Sequence, residues 1–146
     1  MSQSARVLVV AHKTAATPAL LDAVRERAAS GDATFTLLVP KPTHGLDKLA
    51  AASEDHGLDE GEQVLALALP LLEEAAGTHV EGKVGSSAPI EAIADAINAD
   101  GYDEVILSML PSRVSRWLHL DLPHKVAGLG VKVTTVTAKD RAQTHA

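Results

Sequence analysis

The sequence predicts an α/β domain whose core is a five-stranded, mostly parallel, doubly wound open sheet with helices on both faces. Three features carry this expectation. Short runs rich in Val, Leu and Ile alternate with longer Ala-rich segments of helical period, the order of parallel strands joined by crossover helices. Aromatic residues make up only 2% of the chain, so its core must be packed from Val, Leu, Ile and Ala, as buried parallel strands usually are. The 146 residues, 46% of them hydrophobic and 22% charged, suit one soluble domain able to bury a real core. The expected core spans about 6–138, followed by a short disordered tail over 139–146.

The elements follow in order. Strand one is Val7 to Val10, ending at Ala11 and His12. Thr17 then Pro18 starts a helix, because Thr caps free N–H groups and Pro fits the first turn. That helix turns Leu20, Leu21, Val24 and Ala28 inward and stops near Gly31. Strand two is Thr34 to Val39. From Thr43 to Gly61 the chain is polar and Gly-punctuated, an irregular connection with a short helix expected around Leu46 to Ala52. A long helix follows from about Glu62 to Ala76, bent at Pro70, which has no amide hydrogen for the helical ladder. Strand three, Val80 to Val84, is weakly patterned. Ile90, Ile93, Ala94 and Ile97 then fall at i, i+3, i+4, i+7 behind Pro89, and Gly101 ends that helix. Strand four is Glu104 to Ser108 and strand five Val131 to Val136, with two short helices broken at Pro123 expected between them.

Charge and composition exclude several classes. A net charge of -6 and a pI near 5.6 oppose wrapping nucleic acid or binding an anionic membrane, both of which need a basic surface. The longest apolar run, Val64 to Leu72, is too short to span a bilayer. The opening MSQSARVLVVAHK shows no secretory pattern. The chain has no cysteine, which removes disulfides, thiolate metal sites and Cys nucleophiles, and a cytoplasmic location is expected.

Four features taken together resemble the universal stress protein family. They are the apolar first strand with its Ser/Thr-rich turn, the segment VGSSAPIEAIADAINADGYDEVILS, the helical stretch ending Lys125-Val126-Ala127, and the closing strand VKVTTVT. The resemblance runs from about Arg6 to Ala138. It implies an adenine nucleotide alpha hydrolase-like fold with strand order 3-2-1-4-5, homodimers paired through the last strand (Val131 to Val136), and a regulatory stress-response role without catalysis. It also implies an ATP or AMP site at the carboxyl ends of strands one and four. The same place is where open α/β sheets bind ligands, beside helix N-termini that favour anions.

The sequence departs from the family's ATP pattern at that site. His12 stands where an Asp usually follows strand one. Of the family's Gly-x2-Gly-x9-Gly-Ser/Thr loop, Ser108 and Pro111 occupy the first two glycine positions, and Leu120 or Asp121 the third. Pro111 removes an amide donor and Asp121 repels phosphate, so the expectation is an altered or lost nucleotide site. The rival readings are a purely structural dimer or protein-interaction module, a nucleotide-binding stress protein with a non-standard phosphate loop, and a nucleotide-cleaving or phosphate-handling enzyme on the same fold.

The candidate ligand-binding residues are His12, Thr14, Ser108, Ser112, Arg113, Ser115, Arg116 and Asp121. Arg113 and Arg116, three apart with Ser112 and Ser115 around them, form the best anion site, because Arg presents a planar fork of donors. Their plainer reading is a solvated basic face. His12 is otherwise a loop histidine bonded within its own turn, Thr17 is an N-cap, and Trp117 is an anchor for its segment. Asp121 and His124 form no acid/base pair without a nucleophile, and the expected role of Asp121 there is to cap the helix at Pro123. No H-x-x-H or H-E-x-x-H occurs, so no metal site is expected.

Two near-motifs fail on order. GTHVEGKV resembles a phosphate loop, but Val84 replaces the metal-binding hydroxyl and the segment leads from helix to strand. Gly128-Leu-Gly130 leads into a strand rather than opening a helix. A phosphoacceptor domain needs acidic residues after strand one, and a flavodoxin needs a glycine-rich loop there with aromatics for the flavin; AHKTAATP supplies neither.

Overall fold

The computed structural model describes residues 5–12, 14–15, 17–40, 55–85, 88–109 and 121–137, with backbone alone over 55–60. The elements are β1 (Ala5–Val10), α1 (Pro18–Ser30), β2 (Ala33–Pro40), α2 (Asp55–Ala76), β3 (Val80–Gly85), α3 (Pro89–Asp100), β4 (Glu104–Met109), α4 (Leu122–Ala127) and β5 (Lys132–Thr137). The five strands form one sheet in the order β3-β2-β1-β4-β5, and every neighbouring pair is parallel. This is the expected doubly wound architecture.

Alternation along β1 divides the core. Val7 and Val9 pack with Leu20 and Val24 of α1, Phe35 and Leu37 of β2, and Ala68 and Leu72 of α2. Leu8 and Val10 point the other way, to Ile93 of α3, Leu107 of β4, and Leu122 and Val126 of α4. Successive side chains leave a strand on opposite faces, and helices cover both, so β1 and β4 read as unbroken apolar runs.

Among the described residues the expected boundaries hold to within a residue or two except at the start of α2. Helix α2 begins at Asp55 rather than Glu62 and continues through Pro70. Gly61 is no breaker, because the helix lies so close to β3 that a Cβ there would meet the Val84 methyls at 3.1 Å. Pro70 sits on the exposed face, while Ala68, Leu72 and Ala75 stay buried against the sheet. That burial outweighs the one lost ladder bond.

Pro123 stands in the first turn of α4, the helix expected to start there, and the second correction concerns Asp121. Asp121 precedes the helix in the left-handed region (φ 58°, ψ 38°) and makes no side-chain cap bond. A capping side chain needs an extended backbone to face the first amides. Here the Asp121 carbonyl closes the turn, accepting from Lys125 N at 3.1 Å. The helix expected at Leu46 to Ala52, the first of the two short helices before Pro123, and the tail from 139 lie outside the described residues.

Candidate functional site

The topology creates a crevice before any side chain is considered. β1 lies between β2 and β4. From β1 the chain leaves for α1 on one face, and α4, which follows β4 in the described chain, packs on the other. Loops that part in this way open a cleft at the carboxyl ends of the two strands.

Thr14 and Ser108 meet at the floor of that parting, although 94 residues separate them. Their hydroxyl oxygens are 2.6 Å apart, and Thr14 Oγ1 lies 3.1 Å from the Ser108 carbonyl. Each hydroxyl has one proton. Two arrangements use both: Thr14 donates to the Ser108 carbonyl while Ser108 donates to Thr14 Oγ1, or Thr14 donates to Ser108 Oγ while Ser108 donates to the Thr14 carbonyl at 3.4 Å. Thr14 and Ser108 are 3% and 2% exposed, so burial leaves these hydroxyls to each other.

The chain of bonds continues into α1. Thr17 Oγ1 donates to the Thr14 carbonyl at 2.9 Å, which also accepts from Thr17 N at 3.2 Å. Thr17 Oγ1 in turn accepts from Leu20 N at 3.4 Å, a long N-cap bond. The cap role read for Thr17 is therefore present, as one link in a path from β4 to the start of α1.

Of the other candidates, His12 is half-buried at the mouth of the same turn, its carbonyl accepting from Ala15 N at 3.2 Å. Asp121 is exposed ahead of α4. Ser112, Arg113, Ser115 and Arg116 lie outside the described residues. The structure thus brings His12, Thr14 and Ser108 to one place. Among the described residues no group of three His, Asp or Glu side chains is arranged to hold a metal ion.

The charged contacts lie elsewhere. At the amino end of the sheet, Arg27 grips Glu104 with Nε at 2.9 Å and Nη2 at 2.7 Å. Those bonds hold the Glu104 carboxyl below its ordinary range against the opposing effect of burial, and they raise the Arg27 guanidinium. Lys83 pairs with Asp100 at 2.8 Å, which raises the amine and lowers the carboxyl. Beside that pair an open groove of about 320 Å³ runs between β3 and α3, floored by Leu38, Gly85, Ala92 and Ala96. Sequence reading missed both the groove and the Thr14–Ser108 bond. The available signal for the second was a Ser ending the apolar run VILS and a Thr set between small apolar residues.

Fold and strand order together define a class: doubly wound α/β proteins whose strand order reverses beside β1. Within that class the chain has the universal stress protein fold. A universal stress protein solved in complex with cAMP superposes with a TM-score of 0.65 at 19% identity, over 94% of this chain and 100% of the other. The universal stress protein of Archaeoglobus fulgidus in complex with dAMP gives 0.62 at 14% identity, over 93% and 99%. A universal stress protein family member from Arabidopsis thaliana with AMP bound gives 0.63 at 13%, over 96% and 95%. No family model matches the sequence, and no curated protein matches it.

Proposed function

We propose that this protein is a divergent universal stress protein, a non-enzymatic regulatory module whose carboxyl-end crevice is altered to take a nucleoside monophosphate in place of ATP. The observation that carries the reading is the superposition, over nearly the whole of both chains, on a protein solved with cAMP. The further neighbours with dAMP and AMP point to the same ligand size.

The residues of this chain narrow the choice. Pro111, at a glycine position of the resembling phosphate loop, has no amide to give a polyphosphate, and Asp121 adds negative charge where a longer tail would run. A single phosphate needs fewer donors, and Arg113 and Arg116 with Ser112 and Ser115 can supply them. His12, after β1, stands where the resembling pattern has an Asp and offers a group that both donates and accepts. The hydroxyls at the crevice floor are bonded to each other, which favours a structural role for them over that of a nucleophile.

The remaining parts of the reading are a homodimer and a cytoplasmic location. β5 is an edge strand whose sequence KVTTVT has a single charge and no proline to block pairing, which supports a homodimer through that strand. Among the described residues no helix is long and apolar enough to cross a membrane.

Isothermal calorimetry with AMP, cAMP and ATP, with and without magnesium, tests the proposal. Heat is expected with AMP or cAMP and little with ATP, and Arg113→Ala with Arg116→Ala should weaken the monophosphate at least about tenfold. No heat with any nucleotide at two temperatures would overturn the reading, as would tighter binding of ATP than of AMP.

A further inference from the structure

The bond between Thr14 and Ser108 has a consequence for any ligand seated above it. An apolar pair of the same shape would fill the space as well, and replacing both partners of a buried hydrogen bond is often nearly neutral. What hydroxyls add is direction. Thr14 Oγ1 reaches the Ser108 carbonyl at 3.1 Å, so one bond fixes the β1–α1 turn against the backbone of β4. The Thr14 carbonyl holds Thr17 through two further bonds, which carries the constraint to the first turn of α1. Ser108 stands at a position the resembling phosphate loop fills with glycine. Its side chain is bonded inward and 2% exposed, so it adds no bulk to the crevice.

We propose that Thr14 and Ser108 are positioning residues of the carboxyl-end site: their mutual bonds make the β1–α1 turn and the end of β4 one rigid lip, and neither hydroxyl touches the ligand. The proposal rests on the reading that a nucleotide binds at that end. It also gives Ser108 a reason to replace glycine, because glycine has no hydroxyl with which to lock the turn.

The experiment compares Thr14→Val, Thr14→Ser, Ser108→Ala and the Thr14→Val/Ser108→Ala pair with the parent protein in two measurements. The first is amide hydrogen exchange in the ligand-free state. Each single variant should speed exchange on both sides of the crevice, at Ala11 to Thr17 and at Val105 to Met109. The pair should fall well short of the sum of the two single variants, because only the long bond from Ser108 Oγ to the residue-14 carbonyl, 3.4 Å, survives in Thr14→Val, and Thr14→Ser should restore protection. Faster exchange only in the mutated strand, or additive effects in the pair, overturns the proposal.

The second measurement is AMP affinity by calorimetry. Thr14→Val should weaken AMP by about fivefold, the size of one lost hydrogen bond, and Thr14→Ser should recover it. Unchanged affinity in Thr14→Val sinks the positioning role. If the parent binds no AMP, the nucleotide reading falls while the exchange data still decide whether the lip is locked. If Thr14→Val does not fold, Ser108→Ala and Thr14→Ser carry the same comparison.

Discussion

Helix α1 is joined to β4 at both of its ends, and the two joints use different chemistry. Where α1 starts, Thr17, Thr14 and Ser108 connect it to β4 through neutral hydroxyls and carbonyls. Where it finishes, Arg27 holds Glu104 through charged bonds. More charge gathers at that amino end, where the Asp103 carboxylate accepts from Arg6 N at 2.8 Å and the Arg6 guanidinium lies 5.3 Å from the Tyr102 ring centre. The difference bears on the ligand site proposed above. A carboxylate fixed at the crevice would repel a bound anion in a poorly screened site, whereas a neutral joint leaves the field to the helix N-terminus and to the ligand.

Neither joint is expected to be the main hold on the helix. Leu20 is fully buried on α1 between the two, and Leu20→Ala should cost about 3–5 kcal/mol of unfolding free energy by lost burial and residual cavity. Urea unfolding measures it. A loss below about 1 kcal/mol would mean that the ends, not the apolar face, keep α1 on the sheet.

These regions differ in how far the sequence revealed them. The strands, and helices α1 and α3, were legible because their signals are local: period-two burial made continuous by two covered faces, Thr17-Pro18 at one start, Gly101 at one stop. Gly101 does adopt φ 75°, where a side chain would be strained. The start of α2 was misread because Gly61 meets Val84 across space, a reason for glycine that no local pattern shows. Of the site, the place was legible from topology, and His12, Thr14 and Ser108 from their positions at strand ends. Their mutual geometry was not, because it depends on the pairing of β1 with β4, whose register sets Val10 beside Leu107. The capping role expected of Asp121 failed for a related reason: the backbone angle at a single residue decides it, and composition does not encode that angle.

The charged joint should be the next largest effect. Arg27 and Glu104 are 21% and 14% exposed, between a surface pair of little value and a fully buried one. Arg27→Ala should therefore cost about 1–2 kcal/mol near neutral pH, since it leaves the Glu104 carboxylate half-desolvated. The pH dependence follows from the direction of the shift. Glu104 is held below its ordinary value of 4.5, so at acid pH the unfolded chain binds the proton more readily than the folded one. The stabilisation is complete above the unfolded value and is lost as pH falls through the lower, folded value. Urea midpoints followed downward from pH 6 should decline in the parent protein, and Arg27→Ala should flatten that part of the decline. An equal slope in both proteins would remove Glu104 from the account.

The smallest effect sharpens the comparison most, because Thr17 belongs to the neutral joint without spanning the crevice. Thr17→Ala removes the cap on Leu20 N and the bond to the Thr14 carbonyl, and should cost about 1 kcal/mol, the ordinary value of an N-cap. The 3.4 Å cap distance argues for the lower side of that range. Thr17→Ser keeps both bonds and should recover most of the loss. The informative readout is amide exchange at the end of β4. If Thr17 only caps its helix, protection at Ser108 and Met109 stays at the parent level while the first turn of α1 frays. Faster exchange at those two amides would instead show that the neutral joint extends through Thr17, with the crevice and the start of α1 moving as one body.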